Sequence, residues 1–332
     1  MKPKSKKKIA IYSATGCRAC EHAILDINYQ ILSLVPWVEI VYWPYLLGSE
    51  ETCLEAVEGI DVCFFSGAIR TEEERLAAER LRQKTNLMVA CGACASFGGL
   101  PALIDLGRIG DQPHPKKVHA GGNASGPPVL PEPGAKVRAL EQVVPVDYVV
   151  PGCPPTQSIL WAAIQTLVCG SQALSRISFA TTLFPPEIAQ AVTDAVLPPR
   201  GSVFAGGKAV CAGCARAKEQ KKIQGALTGN NPGAAADRCL LEQGVLCMGI
   251  VTREGCGGIC TSAGLPCRGC FGKLADIEDP GAKAVAAIGA TLDSSDASQI
   301  ERWIAGLHDM SGTFYRYTYA TQCTLNKHIG GA

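Results

Sequence analysis

The sequence predicts an α/β fold, in which a parallel sheet with helices on both faces precedes a mostly irregular domain. In the first half, short apolar runs alternate with segments of helical periodicity. A stretch rich in glycine and proline then leads to Gly207. Beyond it, eight cysteines lie between Cys211 and Cys270, where hydrophobic periodicity is weak. This last pattern is typical of a domain in which metal bonds replace a hydrophobic core.

Five apolar segments predict buried strands, at residues 8–12, 38–42, 61–65, 87–90 and 146–150. Helices are predicted over residues 21–34, directly after Thr71, and over about 156–168. Thr71 is a suitable N-cap because three glutamates follow it and favour the positive end of a helix. Since strands and helices alternate, the strands are expected to be parallel.

The segments outside this alternation set the expected boundaries. Residues 111–135 contain ten proline and glycine residues among 25, which predicts a long surface loop. A helix is expected over residues 187–197, and one or two helices over residues 283–303. We expect two domains, residues 1–200 and residues 201–332, with the boundary in the Gly/Pro-rich stretch.

The composition excludes several classes of protein. Hydrophobic residues make up 47 % of the 332 residues and charged residues 18 %, which excludes general disorder. A net charge of +1 gives no electrostatic reason to expect nucleic-acid binding. No apolar run is long enough to span a bilayer, and the basic start precedes too short an apolar run for a signal peptide. We therefore expect a cytoplasmic protein, whose 17 cysteines are reduced and serve partly as metal ligands.

Four cysteines of the first half follow predicted strands. Cys17 and Cys20 follow the first strand, Cys94 the fourth and Cys153 the fifth. Because the carboxyl ends of parallel strands meet at one edge of a sheet, these four thiols are expected to form one site, although four unrelated buried cysteines are the alternative. Cys91 also has ligand spacing to Cys94, but it continues an apolar strand and is interpreted as a buried thiol.

The eight later cysteines are enough for two sites with four ligands each. Their spacing alone does not distinguish zinc from iron–sulfur clusters, so both remain open at this point. A bacterial ferredoxin is disfavoured, because its CxxCxxCxxxC run is absent.

Several motifs together resemble the small subunit of nickel–iron hydrogenases. In the first half they are Gly16-Cys17-x2-Cys20-Glu21, Gly92-Ala93-Cys94-Ala95 and Pro151-Gly152-Cys153-Pro154-Pro155. In the second half they are Gly244-x2-Cys247-x-Gly249, Gly255-Cys256 and Leu265-Pro266-Cys267-Arg268-Gly269-Cys270. The most similar branch is the cytoplasmic group that works with deazaflavin-reducing, viologen-reducing or heterodisulfide-reductase-linked hydrogenases. The resemblance covers nearly the whole chain except residues 111–135 and the tail.

The resemblance implies a flavodoxin-like first domain and three 4Fe-4S clusters. It assigns Cys17, Cys20, Cys94 and Cys153 to a proximal cluster, Cys256, Cys260, Cys267 and Cys270 to a medial one, and Cys211, Cys214, Cys239 and Cys247 to a distal one. The periplasmic pattern has histidine at the place of Cys211 and no ligand at the place of Cys260. This chain is therefore expected to have an all-cysteine distal site and a medial cluster with four irons, with exchanges between neighbours such as Cys247 and Cys256 left open.

The function that the resemblance implies is electron transfer. Dihydrogen would be split at a nickel–iron centre on a partner large subunit, and the electrons would leave through this chain to a flavin or iron–sulfur subunit. No catalytic residue is expected here; Glu21 either faces the large subunit or only stabilises a helix start. Arg268 either tunes a cluster or is a surface charge. The alternatives are an electron-transfer subunit of a related non-hydrogenase redox complex and a structural zinc-binding interaction module.

Overall fold

The first half of the chain is built on a five-stranded parallel sheet. The computed structural model describes residues 6–48, 51–108, 133–169, 189, 196–220, 222–229, 235, 237–307 and 309–322. The strands are β1 (Lys7–Ser13), β2 (Val38–Tyr42), β3 (Ile60–Ser66), β5 (Thr85–Cys91) and β7 (Tyr148–Val150). Their spatial order, β2-β1-β3-β5-β7, reverses direction at β1. This is the order of a flavodoxin-like doubly wound sheet, so the predicted fold class is confirmed.

Helices of the first half connect these strands. They are α1 (Ala19–Leu25), α2 (Pro44–Leu47), α3 (Glu51–Ala56), α4 (Glu72–Lys84), α5 (Gly92–Phe97) and α6 (Gln157–Ile164). The predicted cap of α4 is confirmed, because the Thr71 side chain accepts from the Glu74 backbone amide and the Glu74 side chain accepts from the Thr71 amide. α6 continues as a π-helix over Gln165–Cys169, so the helix predicted at 156–168 is present with a change of winding at its end.

The helix predicted over residues 21–34 is wrong in one respect, because it is broken. α1 ends at Leu25, and a 3₁₀ helix occupies Asn28–Leu34. Between them, Asn28 has a φ of 66°, a left-handed conformation that an α-helix cannot contain and that asparagine tolerates better than most residues. The hydrophobic spacing continues across this break, which is why periodicity alone does not reveal it.

A small antiparallel sheet lies beside the main one. It pairs β4 (Ile69–Thr71) with β6 (Pro133–Arg138). β6 begins inside the segment predicted to be a loop, so that prediction is wrong for residues 133–135. The rest of the loop and nearly all of the helix predicted at 187–197 lie outside the described residues.

The second half contains short elements linked by turns. They are α7 (Ile259–Ser262), α8 (Pro280–Thr291), α9 (Ala297–Ile304), α10 (Met310–Phe314) and α11 (Tyr319–Gln322), with short 3₁₀ turns before α7. The two helices α8 and α9 confirm the prediction for residues 283–303. A small core of this half centres on Leu246, Met248, Ile277 and Ile288, which are all buried. No helix in the described part of the chain is long and apolar enough to cross a membrane.

Hydrophobic packing covers both faces of the main sheet. One face buries Ile9, Ile11, Phe64 and Val89 against α1 and α6, and the other buries Ala10, Phe65, Met88 and Leu81. Alternate residues of one strand thus enter different cores, as in a sheet covered by helices on both sides. Loops follow the carboxyl ends of β1, β5 and β7, which lie at one edge of the sheet.

Two connections join the halves of the chain. Residues 202–204 lie beside β7, with hydrogen bonds from Val149 N to Ser202 O (3.1 Å) and from Phe204 N to Val149 O (2.8 Å). The C-terminal segment, defined here as residues 315–322, returns to the first half. There Gln142 Nε2 donates to Ala320 O at 2.9 Å, and Gly99 N donates to Tyr317 O at 3.1 Å. The second half is therefore held against the carboxyl end of the sheet.

Candidate iron–sulfur centres

The sheet-edge cleft is lined by Cys17, Cys20, Cys94 and Cys153, and contains about 320 Å³ of space between atoms, part of it open to solvent. Cys17 and Cys20 follow β1, Cys94 is in α5 directly after β5, and Cys153 follows β7. The four thiols therefore converge because their strands are parallel and end at the same edge. The structure brings together the four cysteines that the sequence places after strands.

Two features shape the backbone of this cleft. Ala93 N donates to Gly152 O at 2.6 Å and so ties the loop of Cys94 to the loop of Cys153. Gly92 has a φ of 87°, and a Cβ at this position would lie 2.3 Å from Cys20 Sγ. Only glycine allows the chain to turn here while the thiol of Cys20 lies against the backbone.

Burial raises the pKa of three of these thiols, Cys20, Cys94 and Cys153. Desolvation, and after it the neighbouring thiols of Cys91, Cys94, Cys153 and Cys17, raises the pKa of Cys20 far above its ordinary value. Burial raises the pKa of Cys94 to about 12, with further contributions from Cys153 and Cys17. Iron must displace these protons, because the thiolate is the ligand.

Cys91 and Glu21 lie behind the cleft. Cys91 is 1 % exposed at the end of β5, and burial raises its pKa to about 12, with Glu21 adding to the effect. Glu21 is also 1 % exposed; its Oε1 accepts from Trp43 Nε1 at 2.8 Å, and its Oε2 has no hydrogen-bond partner among the described residues. Burial raises the pKa of this carboxyl, opposed by the Trp43 hydrogen bond, Arg18 and His22. Glu21 thus lies inside this chain, beneath Trp43.

The outer cleft is lined by Cys211, Cys214, Cys239 and Cys247, and contains about 390 Å³ of space between atoms, part of it open to solvent. Burial raises the pKa of Cys211 to about 12; the thiols of Cys247 and Cys239 add to the rise, and Lys218 opposes it. Desolvation also raises the pKa of Cys247, although the backbone amides of Gly249 and Cys267 donate to its sulfur. Such amide donors stabilise a metal-bound thiolate.

The inner cysteine group consists of Cys256, Cys260, Cys267 and Cys270. Burial raises the pKa of Cys267 to about 12 and also raises the pKa of Cys270 far above its ordinary value. Neighbouring thiols also raise the pKa of Cys270. Cys267 and Cys256 contribute more than Cys153 of the sheet-edge cleft and Cys260. On the opposite side, Cys267 N donates to Cys247 Sγ of the outer cleft at 3.3 Å. The inner group therefore lies near one cysteine of each cleft, Cys153 of the sheet-edge cleft and Cys247 of the outer cleft.

Sequence reasoning missed two residues at these sites. The hydroxyl of Tyr317, in the C-terminal segment, is hydrogen-bonded to the Cys153 thiol and lies near Cys270. Arg216 lies in the wall of the outer cleft and is only 6 % exposed. Neither residue belongs to a motif, and only its position two residues after Cys214 could have drawn attention to Arg216. Arg268 is partly buried, and its Nη2 donates to the carbonyl of Gly229.

All three arrangements fit iron–sulfur clusters by the chemistry of their ligands. Each offers four thiols, which are the ligands of 4Fe-4S clusters, and fourteen cysteines of the described residues are free thiols. Among the described residues, no three His, Cys, Asp or Glu side chains come close enough together to share a single metal ion. The four thiols of the sheet-edge cleft and the four of the outer cleft line the walls of these clefts.

Comparison with known proteins gives two kinds of match. A model of the family described as "NADH ubiquinone oxidoreductase, 20 Kd subunit" matches residues 17–167. A subunit of the F420-non-reducing hydrogenase vhu of Methanocaldococcus jannaschii is 32 % identical over 282 residues, which cover 83 % of this chain and 85 % of that protein. The iron-sulfur subunit of the F420-non-reducing hydrogenase of Archaeoglobus profundus is 27 % identical, with coverage of 94 % and 95 %.

A solved structure supports the fold. It is the H2-activated [NiFeSe]-hydrogenase of Dm. baculatum, one chain of which aligns with a TM-score of 0.50 at 19 % identity. The alignment covers 90 % of this chain and 99 % of that one. At this identity the match carries an argument for the fold alone, and it includes the irregular second half.

Proposed function

The chain belongs to the small subunits of nickel–iron hydrogenases, in the group of F420-non-reducing hydrogenases, and from this premise we propose that it carries electrons through three 4Fe-4S clusters. The electrons would come from dihydrogen oxidation in a partner large subunit and pass to a downstream flavin or iron–sulfur subunit. The chain is thus part of an oxidoreductase whose nickel–iron centre lies on another chain. We assign it no catalytic residue.

We propose the same ligand sets that the resemblance implies. The sheet-edge cleft would hold the proximal cluster with Cys17, Cys20, Cys94 and Cys153, the inner group the medial one with Cys256, Cys260, Cys267 and Cys270, and the outer cleft the distal one with Cys211, Cys214, Cys239 and Cys247. When bound, these clusters would supply one-electron redox sites.

One observation carries this proposal: the inner group has a neighbour in both clefts. The thiol of Cys270 lies close enough to Cys153 for the two to interact, and Cys267 donates its backbone amide to Cys247 on the other side. These two contacts support a linear order of proximal, medial and distal sites. The order also favours Cys247 over Cys256 as the fourth outer ligand, since Cys247 lines the outer cleft together with Cys211, Cys214 and Cys239.

Hydrogen-bond donors next to the proposed ligands would stabilise the sulfurs as thiolates and limit their movement when the cluster changes its redox state. Cys267 N and Gly249 N donate to Cys247, and the Tyr317 hydroxyl bonds to Cys153. Hydrogen bonds to ligand sulfurs raise a cluster's reduction potential, because they stabilise the more negative reduced form.

The second candidate is an electron-transfer subunit of a non-hydrogenase redox complex. One observation favours it: the family model named after a subunit of NADH ubiquinone oxidoreductase matches residues 17–167. That match ends before the eight later cysteines, however, whereas the 32 % identity to a hydrogenase subunit extends over 83 % of the chain. The hydrogenase assignment is therefore preferred.

Three further proposals concern the setting. We propose that the chain works in the cytoplasm, where thiols stay reduced. We propose a division into residues 1–200 and 201–332. We also propose that the large subunit docks near the sheet-edge cleft, where Cys17 is exposed and the adjacent Arg18 lies 5.2 Å from the ring of the exposed Tyr45.

The native complex, purified without oxygen, tests the function. We expect nickel, about twelve irons in this chain, and dihydrogen oxidation with a viologen dye. Replacing Cys214 by serine should remove or convert one cluster, whereas Cys63→Ser, at a buried thiol of β3, should leave the iron content unchanged. A complex with intact clusters, no nickel and no dihydrogen oxidation would contradict the hydrogenase assignment.

A further inference from the structure

Arg216 is a buried cation in the wall of the outer cleft. Its side chain lines the cleft together with the four cysteines, and the residue is 6 % exposed. The neighbouring Lys218 also lines the cleft but is exposed to solvent. The two cations therefore differ in how strongly water screens their charges.

Hydrogen bonds hold the guanidinium of Arg216 in place. Nε donates to Thr261 O at 2.7 Å, and Nη1 donates to Ala235 O and to Arg238 O, each at 2.9 Å. Thr261 is in α7, directly after the inner-group ligand Cys260. These acceptors are neutral carbonyls, so they fix the position of the charge without neutralising it.

The charge of Arg216 has no carboxylate partner among the ion pairs of the described residues. A buried charge without a counter-charge is strongly unfavourable, because its desolvation is not offset. Among the described residues Arg216 is therefore a cation without an anion, and it lies beside four thiols that become anionic when they bind metal.

We propose that Arg216 is the internal counter-cation of the outer iron–sulfur cluster and raises its reduction potential. The inference rests on the proposed outer ligand set. A 4Fe-4S cluster with four thiolates is negatively charged in both redox states, and more so when reduced. A nearby buried cation stabilises the reduced form more than the oxidised form, and low screening enlarges the difference.

The surroundings of the sheet-edge cleft differ. The arginine that lines this cleft, Arg18, is exposed to solvent, and in the described part of the chain no buried guanidinium lines it. Water therefore screens the charge of Arg18 more strongly than that of Arg216, so the outer cleft is expected to stabilise a reduced cluster more than the sheet-edge cleft does.

The test is a redox titration of the native complex, followed by electron paramagnetic resonance. The signal of the outer cluster is first identified as the one that Cys214→Ser removes or alters. If Cys214→Ser changes no signal of the unmodified complex, it is the proposed ligand set that fails, and not the role of Arg216. In Arg216→Gln we expect the outer midpoint to move to a more negative potential. At the original midpoint, the ratio of reduced to oxidised cluster should fall roughly tenfold. The inner and sheet-edge midpoints should move less.

Two further variants separate charge from hydrogen bonding. Arg216→Lys keeps the charge but loses most of the hydrogen bonds, and it should retain a midpoint near the original. Lys218→Gln removes an exposed charge from the same cleft and should shift the midpoint much less than Arg216→Gln. An unchanged midpoint in Arg216→Gln with full iron content, or equal shifts in the Gln and Lys variants, would overturn the proposal.

Loss of the outer cluster in a variant would also show whether the charge of Arg216 or its hydrogen bonds are required. If Arg216→Gln lacks the outer signal while Arg216→Lys retains it at the original potential, the charge is what the cluster requires, as proposed. If both variants lose the signal, the hydrogen bonds to Thr261, Ala235 and Arg238 are the essential feature. The residue would then be a structural clamp, and the proposal would be wrong.

Discussion

Gly92 determines how closely the backbone approaches the sulfur of Cys20. The predicted motif Gly92-Ala93-Cys94 contained this residue, and the structure gives the reason for it: a left-handed φ and a Cβ position 2.3 Å from Cys20 Sγ. Two independent penalties therefore act on any side chain at this position, one from the backbone and one from the thiol.

Gly92→Ala is expected to displace Cys20 and to reduce occupancy of the sheet-edge site. Because the thiol ligand cannot move without losing its cluster geometry, the iron content of the purified chain should fall by about a third. Iron and sulfide analysis measures this directly. Gly207→Ala is the matched control, since its Cβ would meet nothing within 4 Å, and it should retain full iron. Equal iron contents in both variants would contradict the argument.

The proposed metal ligands were accessible to sequence reasoning, whereas the residues that lie beside them were not. Cys17, Cys94 and Cys153 could be grouped because parallel strands bring their carboxyl ends together. Arg216 and Tyr317 could not, because their relation to the cysteines depends on how distant segments pack. An arginine or tyrosine in a loop has no periodic or motif signal that reports such a contact.

Among the secondary-structure elements, β7, β5 and α4 are connected by one buried carboxylate. Asp147, which is 5 % exposed just before β7, accepts from Met88 N of β5 at 2.8 Å. It also pairs with Arg82 of α4 at 2.7 Å and with Arg200 at 2.6 Å. The carboxylate thus fixes the position of β7, and with it the loop that carries Cys153.

Asp147→Asn should destabilise the first half of the chain. The amide keeps the shape but leaves a partly buried Arg82 without its counter-charge, which costs about 3 kcal/mol. For a protein of this size the melting temperature should fall by several degrees, as calorimetry of the native complex can show. Asp293→Asn, which removes an exposed partner of Lys222, is the control and should have little effect. Similar losses in both variants would show that burial of the Asp147 pair is unimportant.

Element boundaries were predictable where one local signal decides them. β2 has its predicted bounds, and α4 begins at its predicted cap. The break at Asn28 was not predictable, because hydrophobic spacing continues through it. β4 and β6 were also missed, since each is short and pairs with the other across about 65 residues of sequence.

At the scale of the whole molecule, the state of the thiols couples stability to pH. Burial raises the pKa of Cys94, Cys211 and Cys267 from 9.0 to about 12 in the cluster-free chain. Unfolded thiols lose their protons near pH 9, while these folded thiols keep theirs. The stabilisation from the raised pKa values is therefore fully present below pH 9 and is lost as the pH rises from 9 to 12.

The cluster-free chain should accordingly lose thermal stability between about pH 9 and pH 12, and the loaded chain should lose less. In the loaded chain the sulfurs are iron-bound thiolates with no proton to release. Thermal unfolding of both forms at several pH values, followed by tryptophan fluorescence, measures the difference. Parallel alkaline losses in the two forms would show that other groups control stability in this range.

The C-terminal segment has a consequence for the order of events during synthesis. Its contact with Gln142 joins residues 178 positions apart, and Tyr317 meets Gly99 and Cys153 across similar distances. These contacts cannot form until residues 317–320 have left the ribosome, long after the cysteines of the sheet-edge cleft have been made. During that interval Cys94 and Cys153 lack their C-terminal neighbours, so this side of the cleft stays uncovered until the segment docks.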